Sequence, residues 1–332
     1  MVKYVLTAVL CTSCMTFEKS KLSVLGLKVH YIEGHSRVIK AVNGVSFKIR
    51  EGESMGIAGE SACGKSTLGS ALMRDLEPPA KIIGGSILLD KIDITSLEDT
   101  DFDREVRWKK IAMIFQAAMN TLDPVFTVGD QMREILRSHG VESSAESRIL
   151  ASLDDVSLDK TIAKKYPHEL SGGMKQRVVI AMALLLHPDI LIADEPTTAL
   201  DVLVQAQIIN LLKYLKIKRG ITIIIISHDL GVISELADKV AIMYSGEIVE
   251  LANSVEIFKN PKHPYTQLLI SSIPMLSTNG RIISIKGQPP DLANLPSGCK
   301  FLTRCPYAME VCRKDPPYIK TDSGFTLCWL YE

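Results

Sequence analysis

The chain has 332 residues, 46% of them hydrophobic and 23% charged, with Lys+Arg and Asp+Glu each counting 38. That length allows one large domain plus an appendage. The zero formal charge argues against a general nucleic-acid binder, which takes much of its affinity from a basic excess. No apolar run approaches the roughly 20 residues of a membrane-spanning helix, so any role at a membrane has to pass through partner subunits.

Residues 1–20 read as an extension of uncertain role. Tyr4 to Leu10 has the apolar character of a secretion signal, but it lies near the short limit and no small-residue cleavage site follows. Met15 offers an alternative start, and Cys11-x-x-Cys14 is expected to bind nothing. Residues 22–32 and 44–50 are rich in β-branched side chains and predict antiparallel strands. Ser54 to Ala58 predicts a short strand entering a Gly-rich turn, and Ser66 to Arg74 a helix. Strand Ile111 to Phe115 leads into 117–170, a mostly helical and charged stretch. From 172 the order is helix, strand 190–193, helix 201–218, strand 221–227, helix 229–237, strand 238–243. Strands alternating with helices predict an α/β fold around a mainly parallel sheet. After about residue 260 prolines break the periodicity, and four of the seven cysteines fall between 299 and 328. The expected organisation is therefore a domain over 21–258, with a helical subdomain at about 117–180, and an irregular extension over 259–332.

Gly59-Glu60-Ser61-Ala62-Cys63-Gly64-Lys65-Ser66, followed by Thr67, satisfies G-x-x-x-x-G-K-[ST] between a strand and a helix. Backbone N–H groups that turn inward around phosphate oxygens leave no room for side chains, and the helix N-terminus adds a favourable field. Lys65 then reaches the β- and γ-phosphates, and the Ser66 hydroxyl ligates Mg²⁺. Cys63 reads as a small residue of the cradle. Downstream, Ile190-Leu191-Ile192-Ala193-Asp194-Glu195 is an apolar strand ending in two carboxylates, at the sheet edge where ligands collect. Asp194 is the candidate to hold Mg²⁺ through water, and Glu195 to orient the attacking water. The nucleotide motif alone leaves ATPase, GTPase and kinase open.

Leu170-Ser171-Gly172-Gly173-Met174-Lys175-Gln176-Arg177 resembles the signature motif of ABC ATPases, and Ser171 with two glycines is itself a helix-start anion site. The resemblance implies that Ser171, Gly172 and Gly173 face ATP bound to the opposite subunit, so that activity requires a dimer. It further implies that Gln116 senses Mg²⁺ and couples to membrane subunits, that Ala199-Leu200-Asp201 crosses the dimer interface, and that His228 contacts the γ-phosphate. Tyr31 is the candidate for stacking on adenine, with core packing as the alternative. Tyr166-Pro167-His168-Glu169 and Leu122-Asp123-Pro124-Val125 are similar to the oligopeptide, dipeptide and nickel importer ATPases. Two departures affect loop geometry and coupling: Ala62 stands where that branch usually has Gly, and Ala117-Ala118 replaces its usual Asp-Pro.

Asn260-Pro261-Lys262-His263-Pro264-Tyr265-Thr266, then Leu268-Leu269 and Ile273-Pro274, resembles the C-terminal extension of those ATPases, which implies a role in subunit docking. Cys299, Cys305, Cys312 and Cys328 are separated by 5, 6 and 15 residues, unlike common zinc knuckles. Four thiolates suit a [4Fe–4S] cluster, which the resemblance favours; zinc and metal-free thiols stay open. The implied function is ATP hydrolysis at the cytoplasmic face of the membrane, energising uptake of oligo- or dipeptides, or else of nickel or oligosaccharide. The implied partners are a second ATPase subunit, two permease subunits and, indirectly, an extracytoplasmic solute-binding protein, with no nucleic acid. The competing readings are a soluble ABC ATPase of repair or translation, which this single cassette without coiled-coil insertion disfavours, and a degenerate, non-enzymatic cassette, opposed by intact Lys65, Ser171, Glu195 and His228.

Overall fold

The computed structural model describes residues 20–34, 37–272 and 285–332; the N-terminal extension through residue 19, with its Cys11-x-x-Cys14, and Ile273-Pro274 lie outside them. Strands β1 (Ser20–Glu33) and β2 (Arg37–Arg50) pair antiparallel, as their β-branched runs predict, with β2 starting earlier than the expected 44. Then follow β3 (Ser54–Ala58), α1 (Lys65–Leu72), β4 (Ala80–Leu89), β5 (Ile92–Asp93), α2 (Asp99–Glu105) and β6 (Ile111–Ile114). The helical stretch contains α3 (Val128–Ser138), α4 (Ala145–Asp155) and α5 (Gly172–Ala183). Next come β7 (Ile190–Asp194), α6 (Val202–Arg219), β8 (Thr222–Ser227), α7 (Leu230–Leu236), β9 (Lys239–Tyr244) and β10 (Glu247–Asn253). The chain ends with α8 (Ser254–Lys259), α9 (Pro264–Ser271), β11 (Tyr318–Lys320) and β12 (Phe325–Leu327).

The strands form a sheet of order β2-β1-β4-β5 and a second of order β11-β12-β10-β9-β3-β8-β7-β6. In the second, β9, β3, β8, β7 and β6 run parallel, and β10, β12 and β11 add an antiparallel flank. Thus the C-terminal extension contributes two strands to the main sheet. Strands β4 and β10 to β12 and helix α2 go beyond the sequence expectation. Gly84-Gly85 interrupts the alternation of β4, and β11 and β12 have three residues each, too few to show a period.

Strands β3, β7 and β8 are buried at every position, which is why the centres of β7 and β8 read as apolar runs. Successive side chains feed opposite cores: Ile223 and Ile225 join the core under the helical stretch, whereas Ile224 and Ile226 join the core shared with β1, β2 and α1. Each fully buried isoleucine contributes about 1.5–3 kcal/mol to holding the two layers on the sheet. Helix α6 starts where the Asp201 carboxylate accepts from Val204 N–H and ends at Gly220, with φ 64°. Lys216, Lys218 and Arg219 in its last turn oppose the helix dipole. No helix among the described residues is long and apolar enough to cross a membrane.

Candidate nucleotide site

The parallel register brings the sequence candidates to one edge. Ala58 of β3 lies opposite Ser227 of β8, Ile226 of β8 opposite Asp194 of β7, and Ala193 of β7 opposite Ile114 of β6. The turn 59–64, His228, Asp194-Glu195 and Gln116 therefore all leave the C-terminal ends of neighbouring strands, the side where open α/β sheets bind ligands.

The turn wraps tightly. A Cβ on Gly64, whose φ is 104°, would sit 1.9 Å from the Ala41 carbonyl oxygen, so only glycine fits. Ala62 holds a left-handed conformation at φ 62°; it keeps the geometry that glycine adopts freely, at a strain of about 1–2 kcal/mol. Lys65 is buried, and its Nζ donates to the carbonyl oxygens of Gly59 and Glu60, each at 2.8 Å, and to Cys63 Sγ at 3.7 Å. Cys63 is buried, and burial raises its thiol pKa, so it acts as a filler of the cradle. Glu60 is half-buried, Ser61 is exposed, and Ser66 is exposed on the first turn of α1.

Asp194 is 3% exposed, and its Oδ1 has no hydrogen-bond partner among the described residues. Burial pushes its carboxyl above the ordinary value, partly countered by the Ser66 hydroxyl and Lys65, with Glu195 adding to the rise. A buried, under-satisfied carboxylate beside a hydroxyl and a phosphate loop is a donor set that fits Mg²⁺.

Glu195 has a left-handed φ of 51°. Its Oε1 accepts from the His228 backbone N–H at 3.0 Å and contacts His228 Nδ1 at 2.7 Å, while Oε2 accepts from Thr198 Oγ1 at 3.0 Å. The two expected catalytic residues are thus bonded directly to each other, and Thr198 holds the carboxylate from the other side. Sequence reading missed Thr198, although its position three residues after Glu195 was a signal. Gln116 is exposed at the end of β6, beside Ala117 at φ 57°.

Tyr31 lies on β1, half-buried against the second core, with its hydroxyl 3.2 Å from Thr67 Oγ1. This sets the ring at the flank of the phosphate-loop helix. Ser171 lies at the start of α5. It caps α5 by accepting from Met174 N–H at 3.3 Å, and it is exposed with Gly172. Among the described residues no hydrogen bond joins Ser171 to Gly173 with the turn 59–67. Asp201 is exposed and caps α6, followed by Val202 and Leu203 at 79% and 78% exposure.

The C-terminal extension reaches the site by contacts that no local motif announces. Arg304 forks onto the Glu60 carboxylate at 2.7 and 2.8 Å, and the Tyr265 hydroxyl accepts the Glu60 backbone N–H at 2.8 Å. Cys299, Cys305, Cys312 and Cys328 are free thiols lining one small apolar cavity with Phe301 and Trp329. Burial pushes the Cys299 thiol up to about 11. A single tetrahedral ion needs its thiolates about 2.3 Å from one point, and no group of three or more His, Cys, Asp or Glu among the described residues is so gathered.

Residues 42–198 match the family model of the ABC transporter, and residues 249–312 match that of the oligopeptide/dipeptide transporter C-terminal region. The dipeptide transport ATP-binding protein DppD of Bacillus subtilis is 45% identical over 319 residues, covering 94% of this chain and 95% of that protein. The oligopeptide transport ATP-binding protein OppD of Salmonella typhimurium is 45% identical over 284 residues, covering 84% of each. Among solved structures, the dimeric bacterial ABC transporter cassette MJ0796 matches with a TM-score of 0.61 at 31% identity, over 70% of this chain and 98% of that one. A post-hydrolysis form of the same cassette, bound to ADP and Pi, matches with a TM-score of 0.61 at 29% identity, over the same shares. With the turn 59–64, Asp194-Glu195 and His228 on one sheet edge and relatives aligned along nearly its whole length, the chain belongs to the ATP-binding proteins of ABC transporters.

Proposed function

We propose that this chain is the ATP-hydrolysing motor of an importer of dipeptides or oligopeptides, working at the cytoplasmic face of a membrane with a second ATPase subunit and two permease subunits. An extracytoplasmic solute-binding protein would deliver the solute. The observation that carries the motor reading is the convergence of the phosphate loop, Asp194-Glu195 and His228 on one sheet edge, while the exposed Ser171 has no hydrogen bond to that loop among the described residues. A site divided in this way is completed when a second copy or paralogue supplies its own Ser171, Gly172 and Gly173. The solvent-exposed Val202 and Leu203 beside Asp201 are apolar surface that such closure would cover. The names of the relatives favour peptide over nickel or oligosaccharide.

The chemistry follows from the residues. Backbone N–H groups of the loop and the α1 N-terminus hold the phosphates. Lys65, released from the carbonyls of Gly59 and Glu60, meets the β- and γ-oxygens. Ser66 and Asp194 would hold Mg²⁺, which neutralises phosphate charge, with Gln116 as its sensor. Glu195 orients water for in-line attack, and the His228 contact fixes that carboxylate before turning toward the γ-phosphate. Tyr31 offers its ring to adenine. A groove of about 1350 Å³, lined by Trp108, Phe115, Leu122, Phe126 and Ile135, adjoins Gln116 and suits an apolar segment of a permease subunit.

For the C-terminal thiols, the convergence of four cysteines distant in sequence on one cavity supports a bound [4Fe–4S] cluster as the finer reading. Iron and sulfide analysis of anaerobically purified protein tests it, and four freely titrating thiols with no iron would refute it. The motor itself is tested by Glu195→Gln in the assembled complex. ATP binding should persist and a closed dimer accumulate, while turnover and uptake of labelled peptide fall by at least about 10²-fold. Ordinary turnover in that variant would sink the assignment.

A further inference from the structure

We propose that Arg304 and Tyr265, both outside the cassette motifs, are positioning residues for the phosphate loop and act through Glu60. The inference rests on the ATPase reading above. Glu60 is gripped from three directions. Its carboxylate accepts from both terminal guanidinium nitrogens of Arg304 at 2.7 and 2.8 Å, its N–H donates to the Tyr265 hydroxyl at 2.8 Å, and its carbonyl accepts from Lys65 Nζ at 2.8 Å. The side chain and the two peptide units on either side of Glu60 are therefore each held, and the side chain and the 59–60 peptide cannot rotate without breaking a contact to the extension.

The grip is built to be rigid. The Arg304 side chain is 4% exposed, its Nε donates to the Lys286 carbonyl at 3.1 Å, and its guanidinium lies 5.8 and 5.9 Å from the centroids of the Tyr244 and Phe301 rings. Arg304 also donates to the Tyr244 hydroxyl at 3.2 Å. Tyr265 is fully buried, with ring centroids 4.6 Å from Tyr244 and 5.4 Å from Phe301. A planar fork matched to a carboxylate sets direction as well as distance, which a lysine cannot do. Two consequences bear on nucleotide. The Glu60 N–H is turned toward Tyr265, so the anion-facing N–H groups must come from later in the loop. The Glu60 carbonyl holds the buried ammonium of Lys65 at 2.8 Å, so its placement sets the position from which that charge is released to phosphate.

The tests use the full chain with ATPase kinetics and equilibrium binding of a fluorescent ATP analogue. Arg304→Gln should raise KM and the analogue's Kd roughly tenfold, equivalent to about 1.4 kcal/mol, with a smaller change in kcat. Tyr265→Phe keeps the ring and removes only the acceptor oxygen, and should move KM in the same direction. Arg304→Lys, keeping the charge without the fork, should recover only part of the loss. Arg304→Gln combined with Glu60→Gln should be no worse than either alone, since both break one contact. If Arg304→Gln does not fold, Tyr265→Phe decides the matter. Wild-type KM and Kd in these variants, with only a lowered Tm, would overturn the proposal. A wild-type chain that neither binds nor hydrolyses ATP would strike the motor reading instead.

Discussion

His263 makes the extension's attachment sensitive to pH in a calculable way. It is 1% exposed, and its Nδ1 accepts from Tyr265 N–H to cap α9, so the ring is neutral with its proton on Nε2. Burial holds its pKa down at about 3, against about 6.5 in the unfolded chain. Between those values the unfolded state binds the proton and the folded state does not, so stability falls as pH drops through this window. From about pH 7.5 to about pH 5 the loss from this residue is about 2 kcal/mol, since 1.5 pH units below the unfolded pKa correspond to 1.36 kcal/mol each. Glu250, which accepts from the N–H groups of Lys262 and His263 and whose carboxyl is raised by burial, acts in the opposite sense, so the isolated effect needs a variant. In His263→Asn the side-chain oxygen can still cap α9. Loss of the ring beside Phe301, 6.0 Å away, lowers stability at every pH, while the pH dependence should flatten by about 2 kcal/mol across that interval. Denaturant unfolding at both pH values measures it. Equal slopes in wild type and variant would refute the reasoning.

Two further outcomes are expected. Gly64→Ala forces a Cβ to 1.9 Å from the Ala41 carbonyl and 2.9 Å from Met243 Cε, so the loop must shift and binding of the ATP analogue should be lost; retained affinity would show that the turn is not the cradle. Ser171→Arg places a bulky cation on an exposed cap that has no hydrogen bond to the chain's own loop among the described residues, so ATP binding by the separate subunit should persist while turnover of the assembled complex disappears. Turnover at the wild-type rate would contradict a site shared across a dimer.

Much of this molecule was legible locally. The apolar runs Ile190 to Ala193 in β7 and Ile223 to Ile226 in β8 are legible as buried parallel strands because covering both faces removes the alternation that a half-exposed strand shows. The phosphate loop and the Asp194-Glu195 pair are likewise contiguous, since anion binding by successive N–H groups requires neighbours in sequence. Ala62 illustrates the boundary: its departure from Gly was visible in the sequence, but only the backbone shows the left-handed turn retained at φ 62°. Tertiary structure alone decided that Glu195 and His228 touch, that β11 and β12 extend the main sheet, and that Arg304 closes on Glu60 across 244 residues. Those pairings depend on how the two cores stack on the sheet, and a long-range contact between two ordinary polar residues leaves no periodic trace in either segment.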